Sequence, residues 1–351
     1  MSTSLGLKRL AKRYGPVEAL KGFDLEVTPG EFVTLLGPSG SGKTTVLKLI
    51  AGFEEPSGGD VLIGGVSVVG LPPYRRGIGM VFQDYALFPH LTVAENVAFP
   101  LSVRDCPRKE IGRRVCEALG LVKLKEYGHR YAEQLSGGQK QRVALARAVV
   151  FDPAILLMDE PLGALDRNLR EEMKVEIKRV QRTLDMTVVY VTHDQDEALA
   201  MSDRIAVMRA GAPVQIATGQ ELYGRPVNAF VARFLGESNL LRCRPAGPGR
   251  ARLTDGRVVP APFDGSGTGH EHWLLVRPER IVIELPAAAG DGALVGRVEE
   301  AVFLGEVTRY AVALGSERLT VKHQNRGDAP FCPGQEAALV WRPEDGVLLD
   351  D

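Results

Sequence analysis

The sequence predicts an α/β domain with a mostly parallel sheet, followed by a smaller domain built only from β-strands. Up to about residue 235, apolar runs such as 155–158 and 187–191 alternate with segments of helical periodicity. This alternation is typical of a sheet whose faces are covered by helices. From residue 273 onward, short strand-like segments at 273–276, 281–283, 294–298, 308–312 and 318–321 are separated by turn residues, as in an OB-like barrel or a sandwich.

Length and composition agree with this division. A chain of 351 residues with 44% hydrophobic and 25% charged residues is typical of a globular protein of two or three domains. A stretch rich in Pro, Gly, Arg and Ala covers residues 242–269. We therefore predict one domain over residues 1–236 and a second, β-rich domain over residues 237–351.

Charge and cysteine usage exclude several classes of protein. The net charge of −1 carries no footprint of nucleic-acid binding. No apolar run reaches the roughly 18 residues of a membrane-spanning helix, and the N-terminus lacks the apolar core of a signal peptide. The four cysteines are scattered without a C-x-x-C pair. We expect neither a zinc site nor a disulfide framework, as in a reducing cytoplasm.

The segment 37–44 fits the phosphate-binding P-loop pattern G-x-x-x-x-G-K-[ST]. An apolar strand at 31–36 precedes it and an apolar-faced helix at 45–51 follows it, which favours a P-loop over a plain Gly/Ser-rich turn. Backbone N–H groups at the helix start would face one anion, with Lys43 on the β- and γ-phosphates and Thr44 on Mg²⁺. The predicted nucleotide-contacting residues here are Gly37, Pro38, Ser39, Gly40, Ser41, Gly42, Lys43, Thr44 and Thr45.

A second motif ends in two carboxylates. The apolar strand at 155–158 leads into Asp159 and Glu160, at the end of a strand where open α/β sheets bind their ligands. Asp159 is the Walker-B-type acid on the Mg²⁺ side, and Glu160 is free to act as general base on a water. The alternative is an acidic turn that caps the next helix.

A third motif, Leu-Ser-Gly-Gly-Gln, occupies residues 135–139. Ser136 is a favourable helix N-cap, while Gly137 and Gly138 allow a ligand to approach the backbone. Gln139 leads into the strongly helix-forming segment 140–150. The chain therefore carries a second helix N-terminus suited to an anion.

With these motifs the sequence resembles the ATP-binding-cassette (ABC) family. Residues 135–139 match the signature motif of that family at every position. The resemblance implies that Ser136 and the glycines of one subunit contact the γ-phosphate held by the P-loop of another. With one copy of each motif, the chain is expected to form a two-fold head-to-tail homodimer with two ATP molecules at its interface.

The resemblance also implies roles for three further residues. Gln83 matches the Q-loop glutamine, which touches Mg²⁺ and the attacking water. His193 matches the switch histidine that hydrogen-bonds the γ-phosphate, although a lone histidine is more often structural. Tyr14 matches the aromatic platform that stacks on adenine, with a core tyrosine as the alternative. Lys43, Gln83, Glu160 and His193 thus form the predicted catalytic set, and Thr44, Gln83 and Asp159 the predicted metal set.

Two other segments gain a meaning from the resemblance. Residues 85–91 match part of a groove that receives a helix of a membrane subunit, with core packing as the alternative. Residues 86–150 match the helical subdomain that carries the signature motif. The loop at 163–166 keeps Asp166 but has Gly163 where the family usually has serine. This difference puts the coupling between the two ATP sites in question.

The β-rich tail resembles the regulatory TOBE-like domain of importer ATPases, at 276–281 and 339–345. The segments 83–93 and 230–239 look most like the polyamine (spermidine/putrescine) type, with ferric-iron and aminophosphonate importers as alternatives. The resemblance implies an ATPase at the cytoplasmic face of the inner membrane, with two integral-membrane permease subunits and, indirectly, an extracytoplasmic solute-binding protein. The alternative from another class is a soluble ATP-driven switch without transport.

The tripeptide Arg-Pro-Glu at 277–279 and 342–344 indicates either two related half-repeats or coincidence.

Overall fold

The computed structural model describes residues 2–104, 106–264, 270–288, 293–315, 317–327 and 330–350. The chain divides into two compact units, one ending at Gly219 and the other beginning at Gln220. Within the described ranges, no helix is long and apolar enough to cross a membrane.

The described residues of the first unit form ten strands and six α-helices. Its strands are β1 (Leu5–Tyr14), β2 (Val17–Val27), β3 (Phe32–Leu36), β4 (Gly58–Ile63), β5 (Val66–Ser67), β6 (Ile78–Val81), β7 (Ile155–Asp159), β8 (Thr187–Thr192), β9 (Arg204–Arg209) and β10 (Ala212–Ala217). Its helices are α1 (Lys43–Ala51), α2 (Val93–Ser102), α3 (Arg108–Leu121), α4 (Gly137–Val149), α5 (Arg167–Leu184) and α6 (Gln195–Met201).

The main sheet has the order β10-β9-β3-β8-β7-β6, and only β10 runs antiparallel to its neighbour. Its central strands are buried on both faces. Val33 and Leu35 of β3 lie in one core with α1, whereas Phe32 lies in another core with α4 and α5. Burial on both faces explains why these strands are continuous apolar runs, and the predicted parallel α/β sheet is confirmed.

Two additions surround this sheet. An antiparallel sheet, β2-β1-β4-β5, shares the core of α1. Between β6 and β7 the chain leaves the main sheet and forms α2, α3 and α4. Helix α2 begins at a capping box in which Thr92 and Glu95 satisfy each other's backbone N–H groups.

The described residues of the second unit form ten strands, which follow two short α-helices, α7 (Gly219–Gly224, beginning at the last residue of the first unit) and α8 (Ala229–Phe234). The strands are β11 (Asn239–Pro245), β12 (Arg250–Leu253), β13 (Val258–Pro260), β14 (His272–Val276), β15 (Val282–Glu284), β16 (Leu294–Phe303), β17 (Val307–Leu314), β18 (Glu317–Gln324), β19 (Glu336–Val340) and β20 (Gly346–Leu349). They form two antiparallel sheets, β13-β12-β11-β14-β20 and β15-β19-β16-β17-β18, around one core.

The predicted all-β character of this region is confirmed, and each of the five predicted segments overlaps one of the strands β14 to β18. Strand β12 went unpredicted because it lies inside the turn-rich stretch. Its sequence, Arg-Ala-Arg-Leu, alternates exposed and buried residues over only four positions. Such a short alternation is too weak a signal for a strand.

The repeated Arg-Pro-Glu tripeptide has a local structural basis. Each copy opens a 3₁₀ turn, Pro278–Arg280 between β14 and β15 and Pro343–Asp345 between β19 and β20. Because β14 pairs with β20 and β15 with β19, the two corners join the same two sheets in opposite directions. The arginines differ, since Arg277 is buried whereas Arg342 is exposed and pairs with Asp345.

Arg277 also explains why the second unit begins before residue 236. Its guanidinium donates to the main-chain carbonyls of Tyr223 (2.9 Å), Ala232 (3.0 Å) and Leu235 (2.9 Å). These bonds fasten the segment that contains α7 and α8 to the corner after β14. The change of composition near residue 240 marks the first strand of the second unit. The unit itself begins earlier, at Gln220.

Candidate functional site

The carboxyl ends of four neighbouring parallel strands bring the predicted catalytic segments together. In the order β3, β8, β7 and β6, these strands are followed by the P-loop, His193, Glu160 and the Gln83 turn. Ligands of open α/β sheets bind at this edge. The strand order therefore gathers side chains that are far apart in the sequence.

The P-loop backbone depends on glycine at two positions. Gly42, at the start of α1, has a φ of 100°, in the left-handed region where a side chain is strained. A Cβ atom on Gly37 would lie 2.4 Å from the main-chain oxygen of Met208 in β9. Glycine at both positions lets the loop turn tightly and places the first N–H groups of α1 at its centre.

Lys43 is buried and folded over this loop. Its ammonium donates to the main-chain oxygens of Gly37 (2.8 Å) and Pro38 (3.1 Å). Burial lowers the pKa of Lys43, and the nearby carboxylates of Glu160 and Asp159 oppose that shift. The lysine charge thus lies between the loop and the two acids.

Asp159, the last residue of β7, faces the start of α1. The Thr44 hydroxyl lies 3.4 Å from its Oδ1. Burial, together with the adjacent Glu160, raises the pKa of Asp159. A hydroxyl beside a carboxylate is an oxygen donor set that suits Mg²⁺. Across the described residues, no group of three or more His, Cys, Asp or Glu side chains could hold a metal ion. Proteins usually bind Mg²⁺ through one or two carboxylates together with phosphate oxygens of the substrate.

Glu160 adopts a left-handed backbone conformation, with a φ of 43°. Its N–H donates to the oxygen of Val191 in β8 at 2.9 Å, which ties it to the neighbouring strand. Its Oε2 lies 3.0 Å from Nδ1 of His193. Non-glycine residues in this conformation cluster at functional sites. The bend thus places Glu160 against His193 at the edge of the sheet.

Gln83 is exposed, two residues beyond β6. Behind it, Tyr85 and Ala86 both have positive φ angles, 63° and 45°. Arg147 of α4 stabilises this turn by donating to the main-chain oxygens of Tyr85 (2.8 Å) and Ala86 (2.6 Å). Our sequence reasoning missed Arg147. The available signal was a single arginine inside the apolar helical run 143–149, where a buried charge requires strong acceptors.

Tyr14 ends β1 and is 46% exposed, so the alternative of a core tyrosine is wrong. Its hydroxyl donates to the carboxylate of Glu54 and lies near Thr45 of α1. The ammonium of Lys12 lies 5.1 Å from the ring centroid. The aromatic ring therefore stands beside the helix that follows the P-loop.

The signature residues lie at the N-terminus of α4, where Ser136 and Gln139 form a reciprocal capping box (3.4 and 3.0 Å). A Cβ on Gly138 would meet the side chain of Leu169 at 2.7 Å. Asp166 caps α5 by accepting from the N–H of Leu169 at 3.0 Å. The signature loop thus packs beside the start of α5, and no hydrogen bond within the described ranges links it to the P-loop.

Gly163 lies in an ordinary backbone conformation. A Cβ there would be 3.6 Å from the oxygen of Glu160, an ordinary van der Waals contact. The loop therefore has room for the serine that the resemblance leads one to expect. The fold therefore does not require glycine at position 163 for steric reasons.

An apolar groove opens behind the Gln83 turn. Tyr85 is buried in the core of the unit, whereas the ring of Phe88 packs at a tilt against that of Phe99 of α2, with ring centroids 4.7 Å apart. The groove encloses about 450 Å³ and its lining includes Phe53, Phe82, Phe88, Phe99, Val103 and Phe151. The segment 85–91 thus contributes both to core packing and to a surface groove.

Comparison with known proteins shows which family the chain belongs to. Residues 20–163 match the ABC transporter family model, and residues 274–349 match the TOBE domain model. The spermidine/putrescine import ATP-binding protein PotA of Acidothermus cellulolyticus is 50% identical over 97% of this chain and 92% of its own length. The protein of the same name from Rubrobacter xylanophilus is 46% identical, over 98% and 93%.

Solved structures match the first unit. The ATP-binding cassette MJ0796, a dimer bound to ADP and phosphate, superposes with a TM-score of 0.55 and 35% identity over 61% of this chain and 98% of its own. CbiO1 of Clostridium perfringens, part of an ABC transporter complex, gives 0.58 and 30% over 62% and 89%. The chain belongs to the ABC transporter family, as an ATP-binding protein whose cassette is followed by a TOBE domain.

Proposed function

We propose that this protein is the ATP-hydrolysing subunit of an importer that takes up spermidine and putrescine, and that it works at the cytoplasmic face of the inner membrane. The observation that carries the proposal is the cluster of Lys43, Asp159, Glu160 and His193 at one sheet edge. It occurs in a chain that covers over nine-tenths of the length of polyamine import proteins. That similarity favours a polyamine over ferric iron or an aminophosphonate.

We assign ATP binding to the P-loop and Tyr14. Lys43 and the N–H groups at the start of α1 contact the phosphates, and the exposed ring of Tyr14 stacks on adenine. Thr44 and Asp159 would hold Mg²⁺, with Gln83 on the side of the attacking water. When bound, the ion neutralises charge on the phosphates.

Hydrolysis needs a base and a fixed water. The carboxylate of Glu160 takes a proton from the water as the water oxygen bonds to the γ-phosphorus, while the bond from that phosphorus to the bridging oxygen breaks and ADP leaves. His193 contacts Glu160 through Nδ1, which leaves Nε2 for a γ-phosphate oxygen, and a protonated imidazole donates from both nitrogens. Lys43 stabilises the charge that spreads over the transferring group.

A homodimer completes the site in this proposal. Ser136, Gly137 and Gly138 make no hydrogen bond to the P-loop of their own chain in the part that the structure describes. They stand at a helix N-terminus, which favours an anion. The dimeric state of the MJ0796 cassette supports the same arrangement. We assign Asp166 to the contact between the subunits.

The apolar groove supports a membrane partner. Phe99 and Val103 on its rim are 42% and 57% exposed, and a groove of this kind binds the apolar face of a helix. We assign it to a helix from each of two permease subunits. Through them the ATPase is linked to an extracytoplasmic solute-binding protein.

The test is an affinity pull-down of the full chain from gently solubilised native membranes, with bound proteins identified by mass spectrometry. We expect polytopic subunits together with a solute-binding protein. The variant Phe99→Ser should lose them, while Val175→Ser, at a residue of α5 that is 71% exposed, should keep them.

The solute is identified by measuring ATP hydrolysis in vesicles that contain this protein and its permease subunits. Spermidine or putrescine supplied with the binding protein should stimulate ATP hydrolysis, whereas ferric iron and aminophosphonate should not. If the chain captures only soluble partners, in a nucleotide-dependent way, the importer is refuted and a soluble ATP-driven switch takes its place.

A further inference from the structure

One arginine of α5 joins the two loops that carry Glu160 and His193. The guanidinium of Arg170 donates to the main-chain oxygen of Leu165 at 3.1 Å and to Oδ2 of Asp194 at 3.4 Å. Leu165 lies in the loop that follows Glu160, and Asp194 directly follows His193. A single side chain therefore connects segments that leave the sheet from neighbouring strands.

The loop after His193 is firmly anchored on its other side. The N–H of Asp194 donates to the Thr192 hydroxyl at 3.0 Å, and its Oδ1 accepts from the N–H of Glu197 at 3.0 Å. Glu197 is buried and accepts from Thr192 (2.8 Å) and Tyr190 (2.7 Å). Arg170 Nε lies 3.8 Å from Oε1 of Glu197, so one guanidinium serves both carboxylates.

These contacts form a closed circuit that includes the candidate catalytic pair, Glu160 and His193. The N–H of Gly163 donates to the oxygen of Glu160 at 3.3 Å, and Glu160 in turn contacts His193 at 3.0 Å. We infer that Arg170 is a positioning residue, which holds these two loops at a fixed separation and so sets the geometry of Glu160 and His193. The inference rests on the proposed hydrolysis of ATP.

The physical reason is the sensitivity of catalysis to position. A displacement of about 1 Å at a catalytic group can cost on the order of 100-fold in rate. The planar guanidinium of Arg170 donates to one carbonyl and one carboxylate and lies 3.8 Å from a second carboxylate. A lysine ammonium in the same place acts as a point charge and cannot reproduce that fork.

The test uses the full-length protein assembled with its membrane partners. Three variants are compared with the wild type for kcat, for the KM for ATP and for melting temperature: Arg170→Gln, Arg170→Lys and Asp194→Asn. Asn caps a helix as well as Asp, so Asp194→Asn keeps α6 intact and leaves Glu197 its cationic neighbour. It removes only the ionic link between the loops.

We expect Arg170→Gln to lower kcat by about 10- to 100-fold with KM within a factor of about two. Asp194→Asn should lower kcat in the same direction without a change in melting temperature, and Arg170→Lys should recover part of the loss. The double variant of Arg170→Gln with Asp194→Asn should be no slower than Arg170→Gln alone, because both changes break the same link.

Wild-type kcat in Asp194→Asn, together with a loss confined to melting temperature in Arg170→Gln, would overturn the inference. Arg170 would then act only as a counter-charge for Glu197. If Arg170→Gln does not fold, Asp194→Asn decides the question alone. If the wild-type protein does not hydrolyse ATP, both the proposed function and this inference are refuted. If the wild type hydrolyses ATP and only the variants behave as just described, the inference alone is refuted.

Discussion

Replacement of Glu160 by glutamine removes a negative charge and preserves the shape of the side chain. The carboxylate is 21% exposed and contacts His193 at 3.0 Å, a contact that an amide can also make. The bond from the residue 160 N–H to Val191 does not depend on the side chain. The loss of charge also relieves the repulsion that helps to raise the pKa of Asp159. We expect the free energy of unfolding to change by less than about 0.5 kcal/mol.

The effect on turnover should be far larger. A positioned general base contributes about 10²- to 10⁴-fold to a rate, and each tenfold change corresponds to about 1.4 kcal/mol. The variant should therefore lose about 3–5 kcal/mol of transition-state stabilisation. Binding of ATP should persist, because Lys43 and the P-loop are unchanged.

The assay is steady-state ATP hydrolysis, alongside calorimetric titration of ATP and size-exclusion chromatography with ATP and Mg²⁺. The matched control is Glu172→Gln, an exposed carboxylate on α5. We expect near-complete loss of turnover, retained nucleotide affinity and accumulation of an ATP-bound dimer for Glu160→Gln only. Turnover close to that of the wild type would remove Glu160 from the role of base.

Three further predictions concern Lys43, Gly163 and the cysteines. Lys43→Ala removes a charged donor worth about 1.5–3 kcal/mol, so ATP affinity measured by titration should fall about 10- to 100-fold; unaltered affinity would contradict the P-loop assignment. Gly163→Ser meets only an ordinary contact at 3.6 Å, so the melting temperature should shift by less than about 2 °C, while the Hill coefficient for ATP hydrolysis should change. Unchanged cooperativity would show that the absent hydroxyl has no part in coupling the two sites. In a thiol-labelling assay at pH 8, the exposed Cys116 and Cys332 should react in the native protein. Cys243 should react only after denaturation, because burial raises the pKa of its thiol to about 11; rapid native labelling of Cys243 would contradict its burial.

The local elements of the first unit were predictable from the sequence. The apolar run before the P-loop, its glycines and the helix that follows are each encoded within a few residues. The structure places β3 and α1 within two residues of the predicted bounds. The Asp159–Glu160 pair was likewise visible, because an apolar run that ends in acids marks the end of a buried strand. Helix α4 was indicated by Ser136, a favourable N-cap, and the structure adds Gln139 as its capping partner.

The antiparallel sheet of β1 and β2 was not predicted. These long strands are irregular, and their pairing shifts register at several points between Leu7 and Arg13. Exposed residues interrupt the alternation there, so the period-2 signal is lost. The pairing of β14 with β20 also could not be predicted from the sequence, because these strands lie far apart along the chain.

The sequence by itself determined the chemistry that is available: a glycine-rich loop with a lysine, two adjacent acids, a histidine after a buried strand, and a capped signature helix. Only the tertiary structure decided which of these groups meet. The contact of Thr44 with Asp159, the bend that turns Glu160 toward His193, and the arginines that stabilise the neighbouring loops all depend on strand order and on helix packing. The physical reason is that propensity, capping and periodicity act over a few residues. Distances between side chains at a sheet edge are set by non-local pairing and by packing of the whole core.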